Sequence, residues 1–259
     1  MSGRFAPAPN QAEVQRFYDA YWPVNLPDAQ RTRDHILSLL PPGARFERAL
    51  DAGCGTGVCS VALAEAAESV VAVDIAFRCA DTAARQAEAW GRKNVVPVNG
   101  SLLDLPFADA QFDVALSWGV IHHTADPLRS LDEIVRVMRP GGLVVIGVYE
   151  RTRLTWFHEL LRRQVALRLG RRGRRAFIGL VSGFVRVMER LGKTNQLRDD
   201  NPRIESQVED WFFVPIKFFF TQAELRAAFE ARGLTFELVA DRTARFRATS
   251  IFIARGRKR

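Results

Sequence analysis

Between residues 48 and 149 short apolar runs alternate with segments of helical character, and this alternation constrains the fold more than any other feature of the chain. RALDAG (48–53), SVVAVD (69–74), NVVPVN (94–99), FDVALSW (112–118) and LVVIGVY (143–149) read as strands. Gly57 to Ala67 and Phe77 to Trp90 read as helices between them. Asp126-Pro127 pairs an N-cap with a proline at the first helical position, and that helix runs to Met138 before a PGG turn at 140–142. Strands that are apolar along their whole length, rather than at alternate positions, are covered on both faces. Separated by helices, they form a parallel, doubly wound α/β sheet.

The flanks read differently. Residues 1–10 are rich in Pro and Ala, and QAEVQRFYDAYW (11–22) is a short aromatic helix broken by Pro23 and Pro27. A second helix is expected from Pro27 to Leu40, ended by PPG at 41–43. After Tyr149 the strand–helix rhythm stops. Leu154, Phe157, Leu161 and Val165 recur at helical spacing, as do Phe177, Val181, Phe184, Met188 and Leu191. RRGRR (171–175) separates the two sets, so a helical hairpin is expected, followed by an irregular stretch from 195 to 220. Thr221 and Glu224 form a capping box for a helix that stops at Gly233. LTFELVA (234–240) and ATSIFIA (248–254) are joined by too short a link for a crossover helix, so they are antiparallel.

Composition excludes several classes. The 259 residues are 47% hydrophobic, enough for a full core, yet no run reaches the eighteen apolar residues of a membrane span. The first fifteen residues lack the apolar region of a signal peptide. Cys54, Cys59 and Cys79 form no CxxC pair, which argues against a disulfide framework or zinc site and for a reducing, cytoplasmic setting. The net charge of +8 is local: eleven arginines lie between Arg151 and Arg190, opposed by Glu159 and Glu189 alone. Such a segment is a solvated basic face, a peripheral membrane contact, a nucleic-acid contact or a partner for an anionic substrate group.

The turn in LDAGCGTGV (50–58) carries the chemistry. A triphosphate-binding loop needs Lys-Ser/Thr after its last glycine, where this chain has Val58-Cys59. A dinucleotide turn needs Gly or Ala at Val58, and here the third glycine falls one residue early. A nucleoside with a small zwitterionic tail remains, as does a turn that uses glycine for geometry alone. Asp74 ends the second strand about twenty residues on, where a carboxylate accepts from both hydroxyls of an unphosphorylated ribose.

LDAGCGTG, VVAVDIA, LPFADAQFDVALSWGVIHH and LDEIVRVMRPGGLVVIG occur in this order, and together they resemble the class I S-adenosylmethionine-dependent methyltransferases. The likeness is to the small-molecule and ubiquinone-methyltransferase branch, over residues 46–149 and again over 221–259. It implies a Rossmann-like sheet of seven strands with an antiparallel last strand. A helical lid (1–45), a cofactor-binding core (46–150), a helical cap over the acceptor (151–220) and the end of the core (221–259) would follow. By position Gly53, Gly55 and Gly57 would lie against the methionine and ribose of S-adenosylmethionine, with Asp51 facing its amino group. Asp74 would hold the ribose and Ile75 pack beside the adenine. Ser101 and Leu102 stand where the family often has an acidic residue toward the adenine amino group, a contact left to a backbone group or Asp104. Ser117 and Trp118 would lie near the transferring methyl, and Tyr18 and Tyr21 would form an aromatic lid.

Methyl transfer from a sulfonium is mostly a matter of positioning, and a base matters only where the acceptor loses a proton. His122, His123, Tyr149 and Glu150 are the candidates by location. Adjacent histidines point apart and have no third ligand nearby in sequence, so no metal is expected. Strand four ends SWGVIHH rather than in the Asn/Asp-Pro-Pro-aromatic motif of nucleic-acid amino methylases, which disfavours a nucleic-acid acceptor. Trp156, Phe157, Trp211, Phe212, Phe213 and Phe218 to Phe220 are expected to wall an apolar or aromatic small-molecule acceptor. The alternatives are an RNA or protein methyltransferase using the basic hairpin, and a non-catalytic binding module.

Overall fold

Seven strands form one mixed sheet in the order β3-β2-β1-β4-β5-β7-β6, in a computed structural model that describes residues 11–21, 30–191, 204–240 and 251–259. The strands are β1 (Phe46–Ala52), β2 (Ala67–Asp74), β3 (Val95–Asn99), β4 (Phe112–Trp118), β5 (Met138–Tyr149), β6 (Glu237–Ala240) and β7 (Ile251–Arg257). The helices are α1 (Gln11–Tyr21), α2 (Gln30–Leu39), α3 (Val58–Ala66), α4 (Phe77–Ala89), α5 (Pro127–Val137), α6 (Thr155–Gln164), α7 (Arg171–Arg190), α8 (Ile204–Phe213) and α9 (Gln222–Glu230). β1 to β5 pair in parallel, while β7 runs antiparallel to both β5 and β6. The doubly wound sheet with a reversed last strand is the architecture expected from the sequence. The link 241–250 and the N-terminal residues 1–10 lie outside the described residues.

Period-two alternation sorts each strand between two cores. Leu50, Val73, Phe112 and Val144 join Leu131 and Ile134 of α5 and Phe229 of α9 on one face. Ala49, Val70, Leu116 and Val145 join Ile36 and Leu39 of α2 and Leu63 of α3 on the other. α2, placed by sequence with the lid region, thus contributes side chains to the sheet core. Pro97 sits in β3, an edge strand, where a missing N–H costs the ladder least.

Local signals work where the chemistry is local. Asp126 Oδ1 accepts from Leu128 N at 3.0 Å and Arg129 N at 2.9 Å, capping α5 before Pro127 can break anything. The Thr221–Glu224 capping box starts α9. PGG is not a free turn: β5 already begins at Met138, opposite Phe112, and the ladder resumes at Val114 and Leu143. Gly141, at φ 79°, takes up the surplus residues as a bulge, because its N–H donates to Lys258 O at 2.8 Å across the sheet.

The region after β5 departs from expectation in three ways. RRGRR does not separate two helices but opens α7, since arginine is a good helix former and Arg174 N bonds Gly170 O at 2.9 Å. The stretch read as irregular contains α8, whose Ile204, Val208 and Phe212 lie on one face. They pack with Ala166 and Val185 into a third, separate core. Finally, Leu154, Phe157 and Val165 do not form a buried stripe: all three are exposed.

β7 passes unusually close to the residues before β6. A Cβ on Gly256 would lie 1.9 Å from the Thr235 carbonyl oxygen, a backbone atom tied into the β7 edge. Gly256→Ala should therefore lower unfolding free energy by about 2–4 kcal/mol in urea. Gly179→Ala, where a Cβ meets nothing within 4 Å in the interior of α7, should raise it by about 0.5–1 kcal/mol.

Candidate functional site

β1 and β4 are the neighbours at which the strand order reverses, and their C-terminal ends open on one cavity. Its floor is the glycine turn. Gly53, Gly55 and Gly57 have φ of 92°, 50° and 81°, a region that side chains rarely tolerate. A Cβ on Gly53 would lie 2.3 Å from Val120 Cγ1, and one on Gly57 2.6 Å from Ala83 Cα. Only glycine lets the backbone pass between α4 and the loop after β4. The Val73 carbonyl holds the turn by accepting from Gly53 N at 2.8 Å and Cys54 N at 2.9 Å.

Asp74, which lines the cavity, closes the same corner. Its Oδ2 accepts from Gly55 N and its Oδ1 from Ala76 N, each at 2.9 Å. Burial pushes its carboxyl above the usual range, against the pull of those two bonds. Each oxygen keeps a second lone pair, so the carboxylate can still accept from a diol. Asp51 lies behind the turn and does not line the cavity. Ser60 Oγ donates to its Oδ2 at 2.6 Å, while its buried Oδ1 has no hydrogen-bond partner among the described residues. Burial drives its pKa up to about 7, with the Ser60 bond opposing and the Asp74 charge adding. A buried acceptor without a donor is costly.

Ile75, Leu102 and Trp118 also line this half. Ser101 does not: its Oγ accepts from Leu103 N at 3.1 Å, and its backbone bridges Asp104. Ser117 does not either. It is fully buried and donates to Ala52 O at 2.9 Å, a bond that ties β4 to β1 at the switch point.

The other half is built from distant segments. α1 brings Gln11, Val14 and Tyr18, α8 brings Gln207, Asp210 and Trp211, and between them stand Tyr149 and His123. The Tyr149 hydroxyl donates to Asp210 Oδ2 at 2.7 Å, and Lys217 Nζ lies 4.4 Å above the phenol ring. His123 Nδ1 is 2.8 Å from Ile216 O. A carbonyl only accepts, so Nδ1 carries the proton and Nε2 is the ring's acceptor. Burial pushes the His123 pKa down to about 4, with Asp210 opposing, and the imidazole is neutral near pH 7. The Ile216 carbonyl is itself positioned by buried Arg162 of α6, which donates to the Val214 and Pro215 carbonyls.

The other sequence candidates fall elsewhere. His122 is fully buried, its ring 4.1 Å from that of Tyr149, and does not line the cavity. Glu150 is not a lining residue; its backbone bridges Phe220 beside the cap. The Tyr21 side chain lies outside the described residues. Of the expected aromatic wall, Trp211 lines the cavity. Trp156, Phe157 and Phe218 are exposed, Phe212 and Phe213 belong to the third core, Phe219 packs under the sheet, and Phe220 packs against the other sheet core. Gln207 and Asp210 were missed because α8 was missed, although Ile204, Val208 and Phe212 carry its i, i+4, i+8 signature.

The family model described as "Methyltransferase domain" matches residues 50–146. The chain is 40% identical over 101 residues to a demethylmenaquinone methyltransferase of Clavibacter sepedonicus, a match covering 39% of this chain and 40% of that protein. It is 30% identical over 149 residues to the 27-O-demethylrifamycin SV methyltransferase of Amycolatopsis mediterranei, covering 55% and 54%. The alignments thus span about half or less of those relatives. In fold it resembles the 1,6-didemethyltoxoflavin-N1-methyltransferase of Burkholderia thailandensis, with a TM-score of 0.57 at 20% identity over 100% of this chain and 93% of that one. The domain match begins at the glycine turn, and only β7 runs against the other strands of the sheet, so residues 50–146 carry a methyltransferase domain and the chain is similar in fold to the class I S-adenosylmethionine-dependent methyltransferases.

Proposed function

We propose that this protein transfers the methyl group of S-adenosylmethionine to a mostly apolar or aromatic small molecule, such as a quinone, natural product or lipid-like isoprenoid. One observation carries the reading: a single cavity joins the glycine turn, Asp74, Ile75 and Leu102 to a second set formed by His123, Tyr149 and Trp211. The first set suits a nucleoside with a cationic tail. The second sets the aromatic rings of Tyr18, Tyr149 and Trp211 beside a small set of polar groups, the usual make-up of a site that holds and orients an aromatic ligand. Relatives named for quinone and rifamycin substrates support the same class. That no disulfide joins Cys54, Cys59 and Cys79 among the described residues supports a reducing, cytoplasmic setting.

When bound, the cofactor supplies an electrophilic methyl on a positively charged sulfur. The residues here supply position and dryness. Asp74 would hold the ribose end over the floor made by the glycine turn, and Asp51, behind that turn, would meet the ammonium through water. Tyr18 and Trp211, from helices far apart in sequence, would cover the acceptor. Where the acceptor carries a hydroxyl, its proton is directed to His123 Nε2, because Nδ1 is committed to Ile216 O. The Tyr149 hydroxyl, already donating to Asp210, offers the acceptor a lone pair rather than a proton.

Asp74→Ala should weaken S-adenosylhomocysteine binding by calorimetry about 10- to 100-fold; unchanged affinity would contradict the ribose assignment, and no binding by the wild type would sink the whole reading. Asp51→Asn should do two opposite things. In the wild type the folded pKa of about 7 exceeds the ordinary 3.8, so charging this buried carboxyl costs stability increasingly from pH 4 to pH 7. The variant escapes that cost. It should be more stable than the wild type at pH 8, by on the order of 1–3 kcal/mol, with the gain shrinking toward pH 4, while binding S-adenosylhomocysteine more weakly.

His123→Ala should lower kcat about 100-fold for a hydroxyl acceptor without moving S-adenosylhomocysteine affinity. Because the imidazole titrates near 4, the wild-type kcat/KM should show no inflection near pH 6.5. Such an inflection, or a fully active variant, would remove His123 from the proton path.

A further inference from the structure

α7 carries two apolar faces, and the described residues cover only one. Ile178, Val181 and Val185 turn inward to the third core, where Phe177 meets Phe212 at 5.0 Å and Phe213 at 5.9 Å between ring centres. About a third of a turn around the helix from that inward face, Leu180, Phe184 and Val187, with Leu191 just past the end of α7, are 76, 64, 52 and 61% exposed. At 3.6 residues per turn these four fall within about 60° of arc. They form one continuous stripe rather than scattered surface residues, and such a stripe marks a contact surface.

The charge beside the stripe says what it would touch. Arg172, Arg175, Arg186 and Arg190 share the adjoining face of α7 by the same periodicity. Arg186 pairs with Glu205 of α8, whereas Arg172, Arg175 and Arg190 form no ion pair among the described residues. From 166 to 191 the sequence has seven arginines against Glu189 alone, a net +6. A second copy of this face would bring the same positive charge against itself. A nucleic acid would satisfy the arginines but leave four large apolar side chains in water. An anionic bilayer surface satisfies both, with the stripe among the acyl chains and the guanidinium groups at headgroup level. No described helix is long and apolar enough to cross a membrane, so the contact lies along the surface.

We infer that α7 docks this protein on anionic lipid membranes, its exposed stripe inserted and its arginines on the headgroups. The inward face of α7 buttresses α8, and α8 carries Gln207, Asp210 and Trp211 of the cavity. The docking surface and the acceptor wall are therefore two sides of one helical pair. The docking inference stands on the α7 surface and does not require the methyl-transfer reading.

Sedimentation of the full chain with phosphatidylcholine vesicles, with and without phosphatidylglycerol, tests it. Binding is expected to the mixed vesicles and to fall with salt. Leu180→Asp with Phe184→Asp should weaken it at least about tenfold. Arg172→Glu with Arg190→Glu should weaken it similarly on mixed vesicles. Both double variants should keep the wild-type melting temperature and S-adenosylhomocysteine affinity, because the altered side chains are exposed and away from the cavity; loss of cofactor binding by the wild type would instead touch the proposed function alone. Three results would overturn the inference: no co-sedimentation of the wild type, unchanged vesicle binding by the Leu180/Phe184 variant, or a wild-type dimer in solution that this variant dissolves.

Discussion

The Asp74 carboxylate holds the glycine turn of this protein against the end of its second strand, and the candidate site is organised around that contact. Two backbone N–H groups, Gly55 and Ala76, converge on one buried side chain, while the Val73 carbonyl takes two more from Gly53 and Cys54. Four orphan donors at a strand–helix crossing are satisfied within a single turn of chain. The geometry tolerates no Cβ at Gly53 or Gly57, so the backbone itself becomes the floor of the cavity. The cost is a carboxylate kept out of water, visible in its raised pKa and in that of Asp51 behind it. Buried acidic groups of this kind are stabilised by a ligand that brings hydroxyls or positive charge, so the strain in the protein and its ligand preference share one cause.

The other half of the cavity follows a different logic. Its residues come from α1, the turn after β4, the end of β5 and α8, and no local rule brings them together. A web of long-range bonds does. Arg162 draws in the chain at 214–215, Ile216 O orients His123, and Asp210 receives Tyr149. One arginine of the basic segment is thus buried and structural, although its charge reads in sequence like that of its exposed neighbours.

Legibility in the sequence tracks the range of the interaction. The N-cap at Asp126, the capping box at Thr221, the glycine turn and Asp74 are settled by neighbours within a few residues or by one parallel pairing, and each was readable. α8 is not, because its i, i+4, i+8 apolar positions run into the aromatic stretch WFFVPIKFFF (211–220), which masks their period. Ser117 looked like a ligand contact at a strand end, but its hydroxyl faces the Ala52 carbonyl of the adjacent strand. His122 and His123 are indistinguishable by sequence; a 3₁₀ turn places one on the cavity and the other beneath it.

By itself the sequence determined the doubly wound sheet, its reversed last strand and the glycine turn that Asp74 closes, because periodicity, turn chemistry and strand burial act over short distances. Only the tertiary structure decided which histidine meets the cavity, that Asp210 and Gln207 belong to it, and which apolar residues of 151–191 stay in water. A helical stripe announces that it seeks a partner; whether that partner lies within the same chain depends on where the other helices come to rest.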